Sequence, residues 1–360
     1  MGPSSPTRLP VTVVTGFLGA GKTTLLRHLL LHGGQRLAVI VNEFGDVGID
    51  AELLSHCGFC PEEELEGRLV ELTNGCLCCT VQDAFLPTIE RLLERADQLD
   101  GLVVETSGLA LPEPLVAACQ WPSVRTRTRV LAVVTVVDWE ALAAGHVVGD
   151  GVAVALQREA DPSLEHLTSL EELFEEQLEV ADLVAVSRAD AVAPAALADV
   201  MASLEGKVRP GTPVVSMVRG ALPVELLLGG AAAADPAEAT GDPEASQDDH
   251  DHDHGHVAME SLVIRRWGAL GRQSVEPVVR ELLLEHPVLR LKGRLHEPGK
   301  RLALQLQAVG PRLECWYEGM ANPDPQCPAL ELVALVPAAQ RDRLQAATEA
   351  LWPTLGPTPS

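Results

Sequence analysis

Three of the eight cysteines in this 360-residue chain, Cys76, Cys78 and Cys79, fall within four consecutive positions of the stretch "NGCLCCT". They follow the apolar "RLVEL" and precede "TVQDAFLPTIERLLERA", which reads as a helix, so the thiols belong to a strand-to-helix loop. A cysteine near a helix N-terminus loses its proton readily. Thiolates prefer Zn²⁺, Co²⁺ and similar borderline cations over Mg²⁺. Three thiols in four residues do not all fit a relaxed tetrahedron, so two are expected as ligands, with the third in support or other groups completing the shell. Buried inert cysteines and a redox pair are the competing readings, the second weakened because the spacing is not C-x-x-C. That spacing does occur in "CGFC", Cys57 to Cys60. One such pair is half of a structural zinc site, and an accessory metal loop or surface variation fits it equally.

A second stretch points to phosphate. "TGFLGAGKTTLLRHLLLH" follows an apolar strand, matches G-x-x-x-x-G-K-[ST] with Gly16, Gly21, Lys22 and Thr23, and continues as an amphipathic helix. Glycines let backbone N–H groups converge on phosphate oxygens, and the helix N-terminus adds positive potential. Lys22 bridges the outer phosphates and the Thr23 hydroxyl ligates Mg²⁺. Two further strand ends, "VNEFGDVGID" and "VVETSG", supply carboxylates and a glycine for the γ-phosphate region. Glu43 and Asp46 can act on Mg²⁺ or its waters, Glu105 occupies the place of a metal-directing carboxylate, and the Gly108 backbone N–H can meet the γ-phosphate. Each acid taken alone is also explained as a solvated loop residue or a helix cap.

Base choice falls to "AVSRAD". A guanine site uses Asn-Lys-x-Asp, in which the carboxylate accepts from the guanine N1–H and exocyclic amine. Here the string is Ser187, Arg188, Ala189, Asp190. Asp190 keeps the discriminating role and Arg188 can stack its head or stem on the base, whereas the loss of the asparagine amide loosens the loop. Guanine is the preferred base, and a turn with an acidic helix cap is the plainer alternative. Farther on, "DDHDHDHGHV" places His250, His252, His254 and His256 among acids. Imidazoles spaced along flexible chain can wrap a divalent cation, in the manner of a capture arm, although an acidic tether with incidental histidines also accounts for them.

The elements that must position these groups are legible in the hydropathy. "VTVVT", "LAVIVN", "LVVET", "VLAVVTVVD", "DLVAVS" and "PVVSM" are buried-strand runs separated by helical stretches, which predicts an α/β fold with a doubly wound, mostly parallel sheet over residues 1–228. Residues 229–256 form a small-residue, acidic tract with no periodicity, expected to be a disordered linker. Residues 257–355 are expected to form a smaller α+β domain, with strands at "MESLVIRRW", "RLKGRLHE" and "RLALQLQAV" and helices at "VEPVVRELLLEH" and "AAQRDRLQAATEAL". Hydrophobic residues make up 46% of the chain, enough for both cores. With 51 acidic and 27 basic residues the net charge is −24, which argues against nucleic acid and anionic membranes as partners and favours cations and basic surfaces. No apolar run reaches the roughly 18 residues of a membrane span and the start shows no secretory signal, so a cytoplasmic location is expected.

With these motifs in hand, the chain resembles the family of P-loop GTPases that serve as metallochaperones and metal-centre maturation factors, and within it the CobW branch. "TGFLGAGKTTLLRHLL", "AVIVNEFGDVGID", "ELTNGCLCCTV" and "VVETSGLALPEPLV" carry the family match. "WPSVRTRTRV", "VVTVVDWEALAAG" and "RLKGRLHEPGKRLALQLQAVGPRL" carry the match to the branch. The resemblance implies a P-loop NTPase fold and GTP hydrolysis coupled to delivery of Co²⁺ for corrin insertion in cobalamin biosynthesis, with a cobaltochelatase or another metal-acceptor protein as recipient. It places Gly19, Ala20, Gly21, Lys22, Thr23 and Thr24 in the phosphate loop, Glu43 near Mg²⁺, Cys76, Cys78 and Cys79 in the metal motif, and Asp190 at guanine. Relatives with the same CxCC motif are linked to zinc, so Zn²⁺ is the alternative cargo. A nucleotide-independent metal buffer and a metal-independent small-molecule kinase are the readings outside this class.

Overall fold

The computed structural model describes residues 8–42, 69–72, 85–160, 169–228, 258–322, 324 and 326–352. All six apolar runs of the first unit are strands. β1 (Leu9–Thr15), β2 (Leu37–Asn42), β4 (Gly101–Glu105), β5 (Thr128–Asp138), β6 (Leu183–Ser187) and β7 (Val214–Ser216) join the short β3 (Leu69–Leu72) in one seven-stranded sheet, in the order β3-β2-β4-β1-β5-β6-β7. Every pairing in it is parallel. Parallel strands need crossovers that cover both faces, which is why β1, β4 and β6 are buried along their whole length and read as continuous apolar runs. On one face Leu25, Leu26 and Leu29 of the first helix, α1 (Lys22–His32), pack with Leu226, Leu227 and Leu228. The other face is covered by Phe85, Ile89, Leu93 and Leu115. The chain leaves β1 towards β2 on one side and reaches β5 on the other, which opens a crevice at the carboxyl ends of the central strands.

The second sheet is antiparallel, in the order β11-β10-β9-β12-β8, from β8 (Met259–Arg266), β9 (Arg290–Leu295), β10 (Leu302–Val309), β11 (Arg312–Met320) and β12 (Leu330–Pro337). Helices Arg272–Glu285 and Arg341–Leu351 pack Val275, Val279, Leu282, Leu283 and Leu344 onto one of its faces. Three of these strands and both helices follow the sequence expectation. "RLECWYEGM" and "LELVALVP" were not singled out, yet the second alternates buried and half-buried residues along its length and is clamped between β9 and β8. The tract 229–256 lies outside the described residues.

The two units touch. Leu289 and Val309 join the same apolar cluster as Leu131 and Leu183. Asp182, fully buried just before β6, accepts hydrogen bonds from the Val133 backbone N–H (2.8 Å), Arg209 (2.7 Å) and Arg312 of β11. The β10–β11 turn approaches so closely that a Cβ on Gly310, φ +50°, would lie 2.0 Å from the Asp182 carbonyl oxygen. Only glycine permits that contact.

Candidate nucleotide and metal site

The loop between β1 and α1 takes its shape from its glycines. Gly16, Gly19 and Gly21 have φ of 133°, 79° and 105°. A Cβ on Gly16 would fall 2.1 Å from the Val136 carbonyl oxygen, so the loop lies directly on β5. Ala20 N–H donates to the Phe17 carbonyl and Leu25 N–H to that of Gly21, and no side chain caps the start of α1, which leaves its dipole end open to an anion. The Lys22 side chain is buried, with Nζ donating to the Phe17 carbonyl at 3.2 Å and standing 3.8 Å from Glu105 Oε1 at the end of β4. Thr23 and Thr24 follow on the first turn of α1.

The "ETSG" segment leaves the neighbouring strand and packs on this loop. Thr106 is bound twice to β1, through its N–H to the Val14 carbonyl and through its hydroxyl to Thr15 Oγ1 at 2.9 Å. A Cβ on Gly108 would lie 2.6 Å from the Leu18 amide nitrogen, so backbone meets backbone there. Gln177, fully buried in helix Leu170–Glu179, donates to the Ala110 carbonyl at 3.2 Å and lies 3.5 Å from that of Gly108. Ser107 Oγ is buried beside the loop with no hydrogen-bond partner among the described residues.

The base loop closes the far side. Ser187 ends β6 with its Cβ 3.3 Å from the position a Cβ on Gly21 would take, and its hydroxyl is likewise buried without a partner among the described residues. Arg188 adopts φ 55°, unusual for a residue with a side chain. Its guanidinium donates to Asp138 Oδ2 at 2.8 Å, Glu140 Oε2 at 3.4 Å and the Gly19 carbonyl at 3.3 Å. The head is thus occupied in tying the loop after β6 to the loop between β1 and α1. Asp190 is partly exposed and has a loose contact, 3.7 Å, with the largely exposed Arg219.

The structure therefore brings together Gly16, Gly19, Ala20, Gly21, Lys22, Thr23, Thr24, Glu105, Gly108, Ser187, Arg188 and Asp190 around the carboxyl ends of β1, β4 and β6. Glu43, Asp46, Cys57, Cys60, Cys76, Cys78, Cys79, His250, His252, His254 and His256 lie outside the described residues. No cluster of three or more metal-ligating side chains occurs among the described residues. Three contributors were not foreseen. Asp138 caps the Glu140 N–H at 3.0 Å while holding Arg188, and its signal was present as an acid at the end of "VVTVVD" immediately before a helix. Ser107 lay unremarked inside "ETSG". Gln177 sits in mid-helix, where nothing in its sequence context marks it.

The residues present suit a nucleoside triphosphate with Mg²⁺. An uncapped helix start, a buried lysine, a carboxylate at a strand end and orphaned buried hydroxyls all converge on one crevice. Fold and site together define a P-loop NTPase-like protein with a separate antiparallel C-terminal domain. The chain belongs to the CobW/HypB/UreG family: residues 10–216 match the "CobW/HypB/UreG, nucleotide-binding domain" model and residues 259–351 the "Cobalamin synthesis protein cobW C-terminal domain" model. It is 46% identical over 322 residues to "Zinc chaperone CobW" of Pseudomonas aeruginosa, covering 86% of this chain and 83% of that one. It is 39% identical over 313 residues to the protein of the same name from Sinorhizobium sp, covering 86% and 88%. Among solved structures, Zn(II)-bound YjiA GTPase from E. coli aligns over 96% of this chain and 99% of that one, at 22% identity and a TM-score of 0.39. No helix among the described residues is long and apolar enough to cross a membrane.

Proposed function

We propose that this chain is a GTP-hydrolysing metallochaperone. In its Mg²⁺-GTP state Cys76, Cys78 and Cys79 hold a divalent cation, and hydrolysis passes that cation to an acceptor protein. The observation that supports it most is topological. All seven strands run parallel, so the carboxyl end of β3 lies on the same edge of the sheet as those of β1 and β4. Cys76 is four residues beyond Leu72, which at about 3.5 Å per residue keeps it within roughly 14 Å of that strand end. β3 is three strand spacings from β1, again about 14 Å. The strand that leads into the thiol segment and the strand that leads into the phosphate loop therefore end on one edge of one sheet, which favours a coupling between the two.

In this mechanism the backbone N–H groups at the start of α1 and the Lys22 ammonium receive the phosphates, and Thr23 with Glu43 and Glu105 directs Mg²⁺. Gly108 gives its N–H to the γ-phosphate, and Asp190 accepts from guanine while the Arg188 stem packs on the base. Gly108 is backed by Gln177 and pressed on Leu18, so a change at the γ-phosphate is felt by a loop already seated on the phosphate loop. Loss of that phosphate relaxes "NEFGD" and "ETSG" and with them the thiol loop. Metal affinity and GTP occupancy are reciprocally linked. His250, His252, His254 and His256 act as a weaker capture arm. Zn²⁺ is the cargo favoured by the names of the two relatives similar over most of the chain. Co²⁺ for corrin insertion, with a cobaltochelatase as acceptor, is the second reading, favoured by the match of residues 259–351 to the domain named for cobalamin synthesis.

The test is an anaerobic competition titration of Zn²⁺ and Co²⁺ in the presence of Mg²⁺ and a non-hydrolysable GTP analogue, repeated with GDP, following thiolate-to-Co²⁺ charge-transfer absorption. Affinity is expected to rise with the analogue and fall with GDP, and the better-bound cation names the cargo. Cys→Ser at positions 76, 78 and 79 should abolish the nucleotide-enhanced component while leaving nucleotide binding intact. Metal affinity indifferent to nucleotide would make the chain a buffer and end the coupled mechanism.

A further inference from the structure

At the end of the sheet remote from the phosphate loop, the two units meet through cations that none of the chemistry above employs. Arg129 is the second residue of β5, whose last residue is Asp138 in the nucleotide crevice. Arg290 and Lys292 are the first and third residues of β9, so they share a face of the second sheet. On that face Lys292 stands opposite Gln307, and Gln307 opposite Glu314. The intervening Leu291, Leu306 and Ala308 turn to the C-terminal core. The Arg129 guanidinium lies 3.8 Å from the ring centroid of Trp316 on β11, which carries it across the junction between the units.

Arg290 is 4% exposed. Its Nη2 donates to Gln307 Oε1 at 3.1 Å, but its Nε and Nη1, and the Nε of Arg129, are buried with no hydrogen-bond partner among the described residues. Burial pushes Arg290 down to about 9 and Lys292 to about 8, the neighbouring cations adding to the effect, and both remain largely protonated at neutral pH. Glu225 acts on Lys292, and Glu314 and Glu318 act on Arg129, whereas the charge that acts on Arg290 is that of Arg129 itself. Buried guanidinium donors left unmade beside like charge are costly, and in native proteins such groups are met by a partner, an ordered water or an ion.

We propose that this junction is a binding site for a small oxyanion of the inorganic phosphate class, received by the unmet donors of Arg290 and Arg129 with Lys292 beside them. Its occupant bridges β5 of the nucleotide-binding unit and β9 of the C-terminal unit, so the oxyanion fastens one to the other. The test is calorimetric titration of the full chain with sodium phosphate, and separately with sodium acetate, at matched ionic strength. The protein is first saturated with Mg²⁺ and a non-hydrolysable GTP analogue so that the phosphate loop is filled. Saturable phosphate binding with a dissociation constant below about 1 mM is expected, weakened at least about tenfold in Arg290→Met. That variant should be no less thermostable than the parent in phosphate-free buffer, because an apolar side chain of similar length leaves no donor unmet. If it fails to fold, Arg129→Gln, at a less buried position, must show the same weakening. No saturable binding, or binding undiminished in the variants that fold, would overturn the proposal and leave ordered water as the partner of these donors. Acetate binding as tightly as phosphate would overturn the ligand class.

Discussion

Replacing Arg188 by alanine and by glycine separates two roles that one residue plays at the nucleotide crevice. The guanidinium reaches Asp138 at 2.8 Å and the Gly19 carbonyl at 3.3 Å, which joins the base loop to the phosphate loop. A hydrogen bond between charged groups contributes about 1.5–3 kcal/mol when buried. Asp138 is buried here, but the Arg188 side chain is 49% exposed, so solvent screening reduces the net contribution to about 1 kcal/mol. The backbone of Arg188 sits at φ 55°, which costs any L-residue about 1 kcal/mol relative to glycine. Arg188→Ala loses the contacts and keeps the strain, so it should destabilise the fold by about 1 kcal/mol. Arg188→Gly loses the same contacts and sheds the strain, so it should unfold close to the parent. Both remove the tie between the loops together with the stem that packs on the base, and GDP affinity should fall about five- to tenfold in both, corresponding to roughly 1–1.4 kcal/mol. Urea denaturation followed by circular dichroism measures the first quantity, and titration with a fluorescent GDP analogue the second. If both variants bind GDP within twofold of the parent, or if affinity follows stability from one variant to the other, the assigned role of the guanidinium is wrong.

Three further substitutions probe the base site and the junction of the units. Asp190→Asn exchanges an acceptor for a group that also donates, so GTP binding should weaken about ten- to hundredfold while xanthosine triphosphate gains, measured by competition between the two nucleotides; an unchanged preference would remove Asp190 from base recognition. Asp182→Ala orphans the Val133 N–H and strips Arg209 and Arg312 of a fully buried partner, so it should cost about 3–5 kcal/mol in urea unfolding, with Arg312→Ala costing less because Asp182 keeps its other two donors.

Much of the site could be read from the order of residues because the chemistry is local. The phosphate loop needs glycines and a lysine at fixed spacing between a strand and a helix, and Gly16, Gly21 and Lys22 supply them within seven positions. The parallel sheet was equally legible, since strands covered on both faces leave uninterrupted apolar runs. Ser187 and Asp190 stand out as candidates because they follow such a run, and the fold sets them at the carboxyl end of β6. β11 and β12 were less legible because their second faces, turned in part to the nucleotide-binding unit, carry half-buried rather than core residues. Their alternation of polar and apolar residues is weak beside the continuous runs of the first unit, and β11 carries charge at Arg312, Glu314 and Glu318.

What no reading of the string could provide is the partner of each charge. Arg188 looked like a residue for stacking on a base, and the fold turned its head to Asp138, fifty positions earlier in the chain, because β5 and β6 are neighbours. Gln177 is an ordinary helical glutamine until the packing of helix Leu170–Glu179 sets it beneath Gly108. Arg129 and Arg290 are surface-type residues by composition, and only the meeting of two sheets buries them together. Short-range sterics and hydropathy act between near neighbours and are therefore written in the sequence. Hydrogen bonds and charge pairs act wherever the folded chain brings groups within a few ångströms, so their assignment waits on tertiary structure.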